Sequence, residues 1–155
     1  MPKCCYDSPV GSLIIEVNDH ALIALDFNHL DERFHDSHPL LKKVCDELDA
    51  YFQGKLKAFS IPLAPKGTDF QQKVWHALCR IPYGKTISYS DEACALEHPK
   101  ATRAVANANG KNKIAIIIPC HRVIAKDGSI GGYSGGLWRK EYLLAFASIL
   151  VPSRK

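Results

Sequence analysis

The sequence predicts an α+β protein, with a small antiparallel sheet and one helix preceding a mostly helical unit. Two short β-rich runs lie between Leu13 and Phe27, helical periodicity dominates from Pro39 onward, and a proline-bearing stretch separates two patterned halves. At 155 residues, with 46% apolar and 23% charged residues, the chain can build one or two modest cores.

Taken in order, Leu13 to Val17 and Leu22 to Phe27 flank Asn18-Asp19-His20 and predict a hairpin. Leu22, Ala24 and Asp26 alternate with Ile23, Leu25 and Phe27, as one buried face requires. A helix follows, with Pro39 suited to its first turn, Leu40, Leu41, Val44, Leu48, Tyr51 and Phe52 recurring at helical spacing, and Gly54 placed to close it. Ser60 to Gly67, with Pro62 and Pro65, marks a boundary, so the expected units are 1–62 and 66–155. Thr68 and Gln71 form a capping-box pattern before Phe70, Val74, Trp75 and Leu78, and that helix should stop near Ile81-Pro82-Tyr83-Gly84.

Two short helices are then expected, Tyr89 to Leu96 and Lys100 to Asn109, joined by a turn at Glu97-His98-Pro99. Helix, short turn, helix is a DNA-binding geometry, though plain helical hairpins share it. In the second helix Ala101, Val105 and Ala108 form a small apolar stripe, while Lys100, Arg103, Asn107 and Lys111 form a polar one. Ala101, Ala104, Ala106 and Ala108 let its backbone approach a groove closely. Net charge is only +4, but Lys85 to Lys113 carries five basic residues against three acidic ones, so a polyanion would bind there.

The apolar run Ile114 to Ile118 reads as a strand, five residues and far below a membrane span. Met1 to Asp7 lacks a basic-then-apolar leader, so free thiols in a reducing compartment are expected, cytoplasmic in a bacterium or archaeon and nuclear in a eukaryote. Six cysteines without a C-x-x-C pair argue against structural zinc. Cys45, Cys79 and Cys94 fall within helical patterns and read as small buried hydrophobes.

The chemistry concentrates after the apolar run, in Pro119-Cys120-His121-Arg122-Val123. A free thiol is only slightly ionised at neutral pH, and an adjacent imidazole can activate it. Neighbouring side chains on a straight strand point apart, so the pair requires a tight turn or helical start after Pro119. A loop from Asp127 to Gly136 holds five of the chain's ten glycines and precedes an amphipathic helix from Leu137 to about Ile149. It fits neither a phosphate loop nor a dinucleotide fingerprint, and can bring bare backbone against a flat ligand.

These motifs closely resemble the O6-alkylguanine-DNA alkyltransferases, also called methylated-DNA-protein-cysteine methyltransferases. The resemblance is carried by Asn112, Pro119-Cys120-His121-Arg122-Val123, Gly132-Tyr133-Ser134-Gly135-Gly136-Leu137 and Lys140-Glu141-Tyr142-Leu143-Leu144. Upstream, Phe70 to Trp75, Ile81 to Tyr89 and Ala101 to Val105 also match, so it covers roughly residues 66 to 145. It implies a ribonuclease H-like first domain and a winged helix-turn-helix second domain. It further implies single-turnover transfer of a methyl or small alkyl group from O6-alkylguanine, and less consistently O4-alkylthymine, in double-stranded DNA to Cys120. No external cofactor or metal is implied, nor any membrane, and the expected state is a monomer.

By the same resemblance His121 is the base through a water, Asn112 orients, and Tyr89 presses on a phosphate and donates a proton. Tyr133, Ser134, Gly135 and Val123 would contact the flipped base. Ser88, Tyr89, Lys100, Ala101 and Arg103 would contact DNA, with Arg103 filling the vacated space. One departure stands out. Where the family commonly has His-Glu, this chain has Phe146-Ala147, and Glu141 lies roughly 240° away around the helix, too far to replace the carboxylate. A less activated thiol is therefore expected. The competing readings are a non-catalytic sensor of alkylated DNA, a methylation-responsive helix-turn-helix regulator, and a cysteine hydrolase, which would need an oxyanion site and turnover.

Overall fold

The computed structural model describes residues 1–150, so residues 151–155 of the second expected unit lie outside the described residues. The chain divides into two compact units, Met1–Lys66 with Lys113–Ala115, and Gly67–Asn112 with the chain from Ile116 onward. No helix among the described residues is long and apolar enough to cross a membrane.

In the first unit β1 (Lys3–Ser8), β2 (Gly11–Val17) and β3 (Leu22–Phe27) form an antiparallel sheet in the order β1-β2-β3. The sequence reading found β2 and β3 but not β1, whose residues show no alternation and are half-buried almost throughout. Leu13, Ile15 and Val17 all face inward on β2. On β3 the inward set is Leu22, Leu25 and Phe27, a change of parity explained by a bulge: Glu16 pairs with Ala24 but Val17 with Leu22, leaving Ile23 extra. Helix α1 (Pro39–Phe52) packs Leu41, Val44, Leu48 and Tyr51 into this core. Each fully buried leucine contributes about 1.5–3 kcal/mol. His38 caps α1, its Nδ1 accepting from the Leu40 N–H at 3.0 Å, and Gly54 ends it at φ 76°.

The segment Ile114 to Ile118 is not the expected strand. Ile114 forms a single parallel bridge with Leu25, where Leu25 N–H donates to the Lys113 carbonyl and Ala115 N–H to the Leu25 carbonyl. Ala115 to Ile117 then turn, with Ile116 at φ 70°. All five residues are buried, and a continuous apolar run states burial without stating backbone shape. This segment also interrupts the expected second unit, because Lys113–Ala115 belong with the first.

The second unit opens with α2 (Asp69–Leu78), whose Thr68–Gln71 capping box is present. Trp75 donates its indole N–H to the Ala108 carbonyl at 2.9 Å, fixing α2 against α4 (Thr102–Gly110). Helix α3 (Tyr89–Ala95) starts from a second capping box, Ser88–Asp91. The turn to α4 passes through Glu97 at φ 63°, and α4 begins two residues later than expected because Ala101 holds a non-helical conformation. Strand β4 (Ile87–Ser88) pairs in parallel with β5 (Val123–Ile124), and α5 (Leu137–Leu150) packs on the turn between Pro119 and β5. Cys79 and Cys94 are exposed and Cys45 only half-buried, contrary to the expected burial. Cys79 sits just past the end of α2, and on the short α3 only Glu92 and Ala93 turn inward.

Candidate active site

Pro119 leads into a single 3₁₀ turn, Cys120–Arg122, the tight turn that an adjacent thiol and imidazole require. Cys120 lies in a cavity of about 340 Å³ lined also by Tyr89, Ala106, Asn109, Tyr133 and Ser134. It is the one buried cysteine of the six. Burial pushes its thiol up to about 11, opposed by a hydrogen bond from Asn112 and the charge of Lys140.

Asn112 uses one amide nitrogen for two acceptors, the Ile118 carbonyl at 2.8 Å and Cys120 Sγ at 3.3 Å. It thereby closes the 112–120 loop and steadies the sulfur. Lys140, on the first turns of α5, is wholly buried and donates to the Val123 carbonyl at 2.7 Å and the Gly132 carbonyl at 3.0 Å. Those bonds tie the glycine loop to β5. Burial lowers the Lys140 ammonium to about 8, and its Nζ stands 5.8 Å from the centre of the Tyr89 ring.

Tyr89, the first residue of α3, directs its hydroxyl at the Gly132 carbonyl, 3.5 Å away. Burial raises its phenol above the usual value, and the neighbouring Cys120 adds to the rise. Gly131 is required at this crossing: its φ is 73°, and a Cβ there would sit 3.0 Å from the Tyr89 hydroxyl.

His121 is 1% exposed, and its Nδ1 has no hydrogen-bond partner among the described residues. Burial, then the Arg122 and Lys140 charges, hold the imidazole down to about 3, so it is neutral at physiological pH. Arg122 serves a structural purpose, donating to the Ile81 carbonyl at 2.8 Å and lying over the Tyr83 ring. Beside the cavity, the buried Glu92 accepts from Asn109 Nδ2 at 2.7 Å, and burial raises its carboxyl to about 7.

The structure thus gathers Cys120, Asn112, Tyr89, Tyr133 and Ser134. It does not bring His121, Val123 or Gly135 to the cavity wall; His121 lines a separate cavity. The Val123 side chain is fully buried and its carbonyl is taken by Lys140; Gly135 is buried, with its carbonyl accepting from Arg139 at 2.7 Å. Ser88 spends its hydroxyl on the α3 cap. Lys100 and Arg103 are exposed and Ala101 is half-buried at the start of α4, whose Ala106 reaches the cavity. Sequence reasoning missed Lys140, Glu92 and Asn109. Lys140 stood within a quoted motif, but nothing in a charged residue announces complete burial.

Residues 69–148 match the family model for the 6-O-methylguanine DNA methyltransferase DNA binding domain, and residues 2–65 match the model for its ribonuclease-like domain. The chain belongs to the 6-O-methylguanine DNA methyltransferase family. The methylated-DNA–protein-cysteine methyltransferase of Methanosarcina barkeri is 46% identical over 144 residues, covering 89% of this chain and 91% of that relative. The Mycobacterium tuberculosis protein of the same name is 42% identical over 154 residues, 95% of this chain and 92% of its own. Among solved structures, Mycobacterium tuberculosis OGT in complex with DNA superposes with a TM-score of 0.89 at 42% identity, covering 99% of this chain and 96% of that one. In this member of the methyltransferase family the cysteine of the Pro-Cys-His-Arg motif is the buried thiol at the cavity.

Proposed function

We propose that this chain repairs alkylated DNA by direct reversal, moving a methyl or small alkyl group from guanine O6 to Cys120. The observation that carries this reading is that the cavity beside α3 and α4 ends on the one buried cysteine. The target carbon lies inside a stacked duplex, so the nucleotide must be extruded, at a cost of a few kcal/mol. Arg103, exposed on α4, would occupy the gap, while Lys100 would hold phosphate without reading sequence.

With burial holding the thiol above its usual value, little of it is thiolate at neutral pH, so proton removal accompanies attack. His121, neutral at that pH, takes the proton through a water. The S–C bond forms as the C–O bond breaks, and the departing guanine regains a proton, with Tyr89, which lines the cavity, as the donor. The thioether is stable to water, so each molecule acts once, with no external cofactor. O4-alkylthymine is a second, weaker substrate in this reading, the working state is a monomer, and a reducing compartment, cytoplasm or nucleus, keeps the thiols available.

Incubation with a duplex containing O6-methylguanine, followed by mass spectrometry, tests it. A gain of one methyl confined to Cys120 is expected, with none in Cys120→Ser. Tight binding without modification would favour a lesion sensor.

A further inference from the structure

In the first unit the sulfur atoms of Cys4 and Cys45 stand 4.0 Å apart, although 41 residues separate them in the chain. The sheet register explains the approach. Cys4 of β1 pairs with Ile15, which faces inward on β2, so it shares the face that α1 covers. Cys5 pairs with Ile14 and belongs to the opposite face, where its thiol donates to the Glu32 carbonyl at 3.3 Å and accepts from Asn28 Nδ2 at 3.8 Å. Cys45 follows the buried Val44 on α1, and both it and Cys4 are half-buried, open to a small reagent. A disulfide bond is about 2.05 Å long, so each sulfur needs to move by only about 1 Å.

We infer that Cys4 and Cys45 are an oxidisable pair, which a low-molecular-weight disulfide converts into a covalent clasp between β1 and α1. The Cys45 S–H donates to the Cys4 sulfur, which favours Cys4 as the attacking thiolate. Cys4 gives up its proton and attacks one sulfur of the small disulfide, whose S–S bond breaks to release the first thiolate. Cys45 then loses its proton and attacks the Cys4 sulfur, forming the internal bond and releasing the second thiolate. The two released thiolates take up the two protons, so one small disulfide is reduced to two thiols as two cysteines are oxidised. Burial holds both thiols above the usual range, so the exchange is slow at neutral pH and answers sustained oxidation. The closed bond restrains a long loop of the unfolded chain and stabilises the first unit, whereas Cys120 belongs to the second.

The full chain is incubated with oxidised glutathione, quenched with iodoacetamide, and read by peptide mass mapping and a thermal melt. A link between the peptides bearing Cys4 and Cys45, lighter than their sum by two hydrogens, is expected. Tm should rise by roughly 5–10 °C, and dithiothreitol should reverse the rise. Cys5→Ser should keep both the link and the rise, whereas Cys4→Ser and Cys45→Ser, each compared with its own reduced form, should show neither. A bond from Cys5 to Cys45, glutathione left on Cys4 as the end product, or both thiols unmodified overturns the pair. A link without a rise in Tm, or a rise that survives in Cys45→Ser, overturns the clasp.

Discussion

Lys140 shows what a single residue does here. A buried ammonium costs solvation, and this one is retained because two carbonyls and a nearby thiol face it. Lys140→Met keeps the length but orphans both carbonyls, so we expect a stability loss of about 1–3 kcal/mol by urea denaturation. Transfer should also slow by roughly tenfold or more in single-turnover assays, since the charge that lowers the Cys120 thiol is gone. At the same scale, Ala147→Glu should accelerate transfer by placing a carboxylate in the cavity that His121 lines; an unchanged rate would mean that the missing carboxylate is not limiting. The reactive pair was legible because Pro-Cys-His is a local pattern. The burial of Lys140 and Glu92 was not, since it depends on neighbours distant in sequence.

At the scale of elements, the helix ends were the most readable features. The Thr68–Gln71 box, Pro39 and Gly54 act within one turn of chain, so their residue types declare them. Thr68→Ala should cost about 1 kcal/mol in a thermal melt and leave transfer intact, because the cap lies outside the cavity. β1 and the 114–118 turn were illegible for opposite reasons: one carries no hydrophobic alternation, the other is apolar throughout. Gly131→Ala should be costlier than its size suggests. It imposes a left-handed conformation on alanine, about 1–2 kcal/mol, and drives a methyl toward Tyr89. Affinity for lesion-bearing duplex, measured by fluorescence anisotropy, should fall as the glycine loop shifts.

For the whole molecule, two buried titratable groups set opposite pH responses. Glu92 has a folded value of about 7 against an ordinary 4.5, so its contribution is present at low pH and lost as pH rises through that window. His121, held at about 3 against 6.5, contributes above 6.5 and loses that contribution as pH falls toward 3. Between 4.5 and 6.5 the two slopes oppose, flattening the stability curve. Glu92→Gln keeps an acceptor for Asn109 and removes one slope, so urea midpoints should climb to a plateau near neutrality without declining beyond it.

The return of Lys113–Ala115 to β3 means that gene order and physical modules do not coincide. A fragment begun at Gly67 would carry Ile114 and Ala115 without the Leu25 backbone that they pair with, and the complementary fragment would lose that edge of its sheet. Neither half can be excised by one scission, and evolutionary shuffling of the catalytic portion alone would first have to rebuild those three residues.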